Sequence, residues 1–587
     1  MALTDGKLWC LLIDHDRKPL GYPFKVPLAA GFDVSDLRQM AAEMRAEITG
    51  STPGAIALNI VVRQWPRDTY VKDEFLQEEV TKAFSDKITI ILESWQVLGD
   101  LQLSVTDILL VELPPPPAGS GSKRKHDSHN RPESMALKRL KTDIAMKPSS
   151  LTAPSEFQKI VGEGHAISCN RPFDCHTLPL VLLHEAFTIF KDRCREDPSE
   201  QALSCLNQLS VVGCAWFETQ VERRSEIQAV LKECMDLSLP ESKVPGTDYG
   251  TDGNLDVVVM PAAIRDCKNE SGPALNEAIL YYANFLQKAF DHPLRFRNFR
   301  TCFPSILIVD MGSYMGFYGA AWDGRCVKVE PLTPLFDLST HWKERKARYA
   351  MAASLDALVA AISNITAHYR SIVTDATENP QSSEADPRVE KARGYPFLTS
   401  YNDGEREITF TYKARVYDTK LFFYATLDGP DAGDCLVKFT PQYSEGAHSY
   451  LASRGLAPML RRCVQISADW VAVIMDISPY KVLCDMDLSE ADKEKIRHKV
   501  KSALDTLHQG GFVHGDVRDT NLLVDVQSLE SEDVAIHLID FDWAGRIGEA
   551  KYPLGINRTS VKRPAGVEGG ALIAESHDIG MLSYLFE

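Results

Sequence analysis

Apolar and polar positions alternate with several different periods along this chain. Lys7–Ile13 and Tyr22–Val26 read as strands. After Asp33, which suits a helix cap, Val34, Leu37, Met40, Ala41 and Met44 recur at the spacing of one helical face. Strand-like runs return at Ala57–Val62, Ile88–Leu92 and Ile108–Leu113. Residues 114–150 then lose all periodicity and become rich in Pro, Gly, Ser and charge, which predicts a tether that buries no core. A weaker polar break spans 372–394. The expected pieces are therefore 1–113, 151–371 and 395–587, in line with the three to four domains that about 150 residues per domain suggests. No repeat recurs at periods of about 20–50 residues.

Composition narrows the class. Hydrophobic residues make up 44% and charged residues 25%, values typical of folded globular protein. The net charge is −17, so contact with nucleic acid would need a local basic surface. No apolar run approaches the ~20 residues of a membrane span. The apolar stretch Leu8–Ile13 is short for a signal peptide and lacks a basic start, so export by the usual route is not expected. The 13 Cys are scattered, without CxxC, which predicts reduced thiols. Cys169, Cys175 and His176 fit no zinc spacing. Lys123, Arg124 and Lys125, then Lys138, Arg139 and Lys141, form a two-part basic signal on the tether, suited to a nuclear import receptor.

The sharpest chemistry lies near the end. Residues 512–521 read F-V-H-G-D-V-R-D-T-N and residues 536–545 read I-H-L-I-D-F-D-W-A-G. Phosphoryl transfer from ATP needs a carboxylate to take the acceptor's proton, and a second carboxylate and an amide oxygen to hold Mg2+. Asp516 suits the base; Asn521 and Asp540 suit the metal ligands. Upstream, Lys438 lies in the apolar strand D-C-L-V-K-F, where an unpaired amine is costly. Glu445 on the next helix is its expected partner, Asp476 ends the strand expected to form the adenine hinge, and Asp578 is expected to anchor the catalytic loop. These motifs resemble the protein-kinase fold, with an H-G-D variant similar to small-molecule kinases. No glycine loop precedes Lys438, no A-P-E follows Asp540, and the sequence runs only nine residues past Asp578, so a truncated lobe is expected.

The middle segment L-D-V-V-V-M-P-A-A-I-R-D-C-K-N-E predicts a hairpin of Asp256–Val259 and Ala263–Lys268, turning at Met260–Ala262. Centred on Pro261, it sets Asp256 opposite Asp266, with Lys268 on the same face. Such a trio can hold Mg2+ and activate water for phosphodiester hydrolysis. Asp252 rivals Asp256, Glu222 or Glu226 is a further acidic candidate, and Glu277 opens the following helix. The pattern resembles the restriction-endonuclease-like (PD-(D/E)xK) fold. Arg295, Arg297 and Arg300 interleave with Phe296 and Phe299, a pattern that suits either a nucleic-acid track or a solvated loop.

Taken together, L-W-C-L-L-I-D with a ubiquitin-like β-grasp pattern, the basic tether, D-C-K-N-E, V-K-F-T, H-G-D-V-R and G-E-A-K-Y-P-L-G-I-N resemble the Crinkler family, closest to its fungal type with nuclease-like and truncated kinase-like domains. The resemblance implies a multidomain α+β chain: a ubiquitin-like module at 1–113, a tether with a nuclear localisation signal at 114–150, a restriction-endonuclease-like domain at 151–371, a linker at 372–394 and a kinase-like domain at 395–587. It implies ATP and Mg2+ as cofactors, action in a nucleus after secretion or translocation, and DNA or a host protein as partner. Two alternatives stand beside an active kinase: a nuclease with a regulatory pseudokinase, and a non-catalytic nuclear interaction protein.

Overall fold

The computed structural model describes the backbone of five strands between residues 7 and 112 and most of residues 137–586; the breaks in the latter are 138, 142–143, 145–146, 162–165, 170–176, 245–246, 248–249, 270–271, 380–388, 390–391, 417–419, 430–431 and 532. The chain divides into two compact units, Met1–His126 and Asp127–Glu587. Both helices and sheets are present, so the architecture is mixed α+β.

In the first unit, Lys7–Ile13 pairs antiparallel with Phe24–Pro27 and parallel with Ile108–Glu112. The latter pairs with Val61–Trp65, which takes Ile90–Ile91 at the edge. The helix expected after Asp33 lies outside the described residues, as do Lys123, Arg124, Lys125 and Lys138.

The second unit holds two larger sheets. One runs in the order Ile167–Cys169, Val327–Pro331, Tyr314–Trp322, Ser305–Met311, Met260–Lys268, Gly253–Val257. Met260–Lys268 is its inner strand: it pairs parallel with Ser305–Met311 and is buried along nearly its whole length. A strand covered on both faces needs apolar residues at successive positions, and M-P-A-A-I supplies them. Helix Ala274–Asp291 covers it with Ala278, Tyr282 and Phe285, all buried. Helix Arg345–Glu378 is long and apolar enough by length and composition to cross a bilayer, contrary to the run-based expectation. Its Leu355, Leu358, Ile362, Ile365 and Tyr369 are instead buried in the protein core.

The other sheet runs Ser400–Asn402, Glu407–Arg415, Phe422–Leu427, Gly433–Thr440, Trp470–Asp476, Leu460–Ser467. Helix Glu445–Ala452 follows the Lys438 strand, and helix Glu490–Gln509, capped by Ser489, packs under the loops that follow. A second apolar cluster, with Ile496, Leu504, Leu507, Leu522, Leu538 and Phe541, supports those loops.

Three boundary expectations change. The tether does not extend to residue 150, because Leu140, Ile144 and Leu151 are buried in the core and Lys141 pairs with Asp291 at 2.8 Å. The break at 372–394 begins inside helix Arg345–Glu378, where Ile372 and Ala376 are buried. The two expected domains on either side share one apolar cluster, from Leu140 to Ile474. Polar composition marked surface-facing residues there, but the apolar residues spaced among them were enough to seat these segments. The described cysteines are free thiols.

Candidate active sites

Lys438 sits mid-strand, opposite Phe422 and Val473. Its amine lies 2.5 Å from Asp540 Oδ1 and 2.6 Å from Asp542 Oδ1, and Asp542 also accepts a hydrogen bond from Thr440 at 3.0 Å. Burial alone would depress the amine's pKa; the two carboxylates outweigh that and raise it. Burial likewise pushes both carboxylates up, but the ammonium holds Asp540 below the usual range, with Lys420 and His514 adding to the effect. Asp542 stays above the usual range because burial and the charge of Asp540 exceed its share of the ammonium.

Asp540 adopts φ +70°, a left-handed backbone rare for a non-glycine residue. Such strain persists only where surroundings over-determine it. Here Phe541 does so. Its ring stacks on His448 at 4.7 Å and meets His514 edge-on at 5.4 Å. His448 is itself fixed, bonded to Tyr443 and to the Pro458 carbonyl, each at 2.8 Å.

The Asp516 loop is held from three sides. Asn521 donates to the Asp516 carboxylate and to its carbonyl, each at 2.9 Å. Asp578, fully buried, accepts the His514 and Gly515 amides at 2.8 and 2.7 Å, which is the anchoring expected of it. Gly515 has φ +83°, and a Cβ there would lie 2.7 Å from Ile573. The two motifs meet through Ile539 N, which donates to the Asn521 carbonyl at 3.0 Å, beside paired strands Leu522–Val524 and Ile536–Leu538. Lys438, Asp516, Asn521 and Asp540 therefore belong to one connected site.

Two expected members are placed otherwise. Glu445 does not pair with Lys438: it opens its helix at the first position, exposed, while His448 one turn on takes the inward place. Asp542 is the second partner instead. The signal was present, since Asp540 and Asp542 are two apart and can share a face. Asp476 ends its strand in an ion pair with Arg461, so its carboxylate is already engaged. Sequence reading also missed two guanidinium groups on Asp516: Arg518 Nε at 3.1 Å and Arg563 Nη2 at 2.8 Å. Arg563 comes from a polar stretch with no periodic signal.

The second cluster lies on the other sheet. The hairpin turns at Val258–Val259 rather than Met260–Ala262, and Asp256 pairs with Pro261 next to a bulge. The shift moves Asp256 toward the turn, where Asn254 holds it and burial raises its pKa. Its rival Asp252 takes the place beside Asp266, accepting the Cys267 amide at 3.0 Å. Lys268 Nζ lies 2.9 Å from Asp266 and 3.0 Å from Glu277, so Glu277 joins the cluster as expected. Burial, opposed by Lys268 and reinforced by Glu277 and Asp252, pushes Asp266 up to about 8. Neither oxygen of Asp266 receives a well-aligned hydrogen bond. Glu222 and Glu226 are exposed; from that helix Arg224 reaches Asp252 instead, at 2.7 Å. Phe296 is buried and stacked on His292, so the interleaved Arg–Phe stretch is packed rather than an open track for bases.

Among the described residues, no group of three or more His, Cys, Asp or Glu side chains is arranged as a metal site. No protein-family model and no curated protein matches the sequence. Two solved structures are similar over part of their length. One is the kinase PK-1 of Cydia pomonella granulovirus, 19% identical over 25% of this chain and 55% of that one, with a TM-score of 0.21. The other is vaccinia related kinase 3, 14% identical over 32% of this chain and 65% of that one, with a TM-score of 0.23. This chain thus spans less than two thirds of either kinase.

Proposed function

We propose that residues 395–587 transfer a phosphoryl group from Mg–ATP to a hydroxyl acceptor. The observation that carries this is the contact of Lys438 with Asp540 at 2.5 Å, in a site that also holds the Asp516–Asn521 pair. An amine tied to a carboxylate in this way is set to meet the phosphates of a nucleotide. The donors on Asp540, Asp542 and Asn521 are oxygens, and two buried carboxylates share one ammonium, leaving a net negative charge. That fits a hard cation such as Mg2+, which takes one or two protein carboxylates and completes its shell with phosphates and water. Asp540 and Asn521 would hold it, and when bound it would neutralise phosphate charge. Lys420, whose charge reaches Asp540, supplies a cation near where a glycine loop would lie. Asp516 accepts the acceptor's proton. The acceptor oxygen then bonds the γ-phosphorus as the bond to the β-phosphate oxygen breaks, and ADP leaves.

The test uses the full chain. Asp516→Ala is expected to lower ATP turnover at least 100-fold while keeping the thermal shift with Mg–ATP; Lys438→Ala is expected to lose both. At 100 times its dissociation constant a ligand stabilises by about 2.7 kcal/mol, well within reach of a melting assay. Unchanged turnover in Asp516→Ala refutes the assignment.

A second reading, Mg2+-dependent phosphodiester cleavage, is favoured by the convergence of Asp252, Asp266, Lys268 and Glu277. The wider reading is a Crinkler-like effector acting in a nucleus, with import through Lys123, Arg124, Lys125, Lys138, Arg139 and Lys141. It is supported by the sequence motifs and by a first unit whose strand order, second-first-fifth-third-fourth, suits a ubiquitin-like β-grasp.

A further inference from the structure

Arg563 reaches the Asp516 carboxylate from the stretch between Asp540 and helix Glu575–Met581. Its side chain is 3% exposed, and its guanidinium lies over the Trp543 ring at 5.1 Å. The Nε and Nη1 atoms are shut off from solvent and have no acceptor. Leaving N–H donors of a cation unmet in the interior is unfavourable, because water's hydrogen bonds are lost and nothing replaces them. Its ion-pair partner is Asp516, which is shared with Arg518. Two guanidinium groups against one carboxylate leave N–H donors that this carboxylate does not take up.

The two ends of this stretch are fixed to each other. Tyr552 N donates to Ala571 O at 3.0 Å, Gly570 N to Tyr552 O at 3.1 Å, and Ile573 N to Ala550 O at 2.8 Å. The Tyr552 and Trp543 rings meet edge-on at 5.9 Å, and Ile573 presses on Gly515. Arg563 contacts Asp516, the base of the proposed transfer, and so stands beside the point where an acceptor hydroxyl would give up its proton.

We propose that Arg563 is a specificity residue that selects an acceptor whose hydroxyl lies close to an anionic group, a carboxylate or a phosphate. This rests on the kinase reading for the chemistry that follows binding, but not for the binding itself. Guanidinium N–H groups form strong hydrogen bonds to carboxylate and phosphate oxygens, and Nε and Nη1, on different edges of the group, each retain a donor to give. The source is either an acidic Ser peptide or a small hydroxy acid.

Both sources are tested by calorimetric titration of the full chain. One pair of probes is a Glu-flanked Ser peptide and its Gln-flanked counterpart; the other is glycerate and glycerol. In at least one pair the charged member is expected to bind tenfold or more tightly. Arg563→Gln should erase that difference, Arg563→Lys should keep part of it, and Lys438→Ala should keep all of it. No preference in either pair, or a preference intact in Arg563→Gln, overturns the proposal. If Arg563→Gln melts early, the folded Arg563→Lys decides, because undiminished affinity for the charged probe contradicts contacts made by Nε and Nη1, which a lysine lacks. Anion preference in a wild-type chain that shows no Mg–ATP thermal shift would remove the kinase reading and leave this site standing.

Discussion

At the scale of single residues, the Lys438 group is an unbalanced triad: one ammonium between two carboxylates. Asp542 is the costly member. Burial first, then repulsion from Asp540, holds it up to about 6, although Lys438 and Thr440 pull the other way. The folded chain therefore retains a proton that the unfolded chain releases near pH 4. Where the folded state binds more protons, stability falls with rising pH. This group's contribution accordingly declines as pH rises from about 4 to about 6. Asp542→Asn keeps a hydrogen-bonding group beside Thr440 and removes one charge, so the decline should flatten and stability at pH 7 should hold or rise. Urea unfolding at pH 4.5 and 7 checks it; an unchanged pH slope would show that Asp542 does not carry the extra proton. Asp540, Asp516 and Asn521 could be read in advance because motif spacing alone relates them. The partner of Lys438 could not, because the choice between Glu445 and Asp542 depends on which way one helix faces.

At the scale of elements, strand register decides which carboxylates meet. A turn two residues earlier than expected, with a bulge at Pro261–Ala263, carries Asp256 away and brings Asp252 to Asp266. Strand side chains alternate, so small shifts in pairing exchange the residues that face one another. If the second cluster cleaves DNA, Asp256→Ala should leave Mg2+-dependent plasmid nicking within about twofold, whereas Asp252→Ala or Lys268→Ala should abolish it. Loss of nicking in Asp256→Ala alone would contradict the observed register. The buried ion pair of Arg265 with Asp310 at 2.7 Å, with Arg223 at 3.8 Å from the same carboxylate, ties adjacent strands behind this cluster. Sequence pattern found the strands, since M-P-A-A-I and S-I-L-I-V are plainly apolar, but a turn built on Val258 at φ +64° has no glycine or asparagine to announce it.

At the scale of the whole second unit, the two sheets are joined rather than tethered. Phe397 N donates to Leu182 O at 2.8 Å, Ala468 N donates to Asp192 at 2.9 Å, and Arg195 pairs with Asp469. Val464, Ile466 and Trp470 pack against the shared apolar cluster. Cutting the chain at residue 395 would uncover that surface. Exposed apolar patches of this kind promote association. A fragment of residues 395–587 should therefore aggregate or melt well below residues 127–587, which should unfold in one cooperative transition by calorimetry. A fragment as stable as the larger piece would show that the sheets are independent. The local chemistry of the catalytic motifs, the apolar strands and the buried Lys was set within short stretches, where neighbours in sequence are neighbours in space. The partner of Lys438, the Arg563 contact, the choice of Asp252 over Asp256 and the merging of two expected domains each join residues far apart or depend on register. Only packing of the complete chain decides those, because it alone determines which faces have apolar surface left to bury.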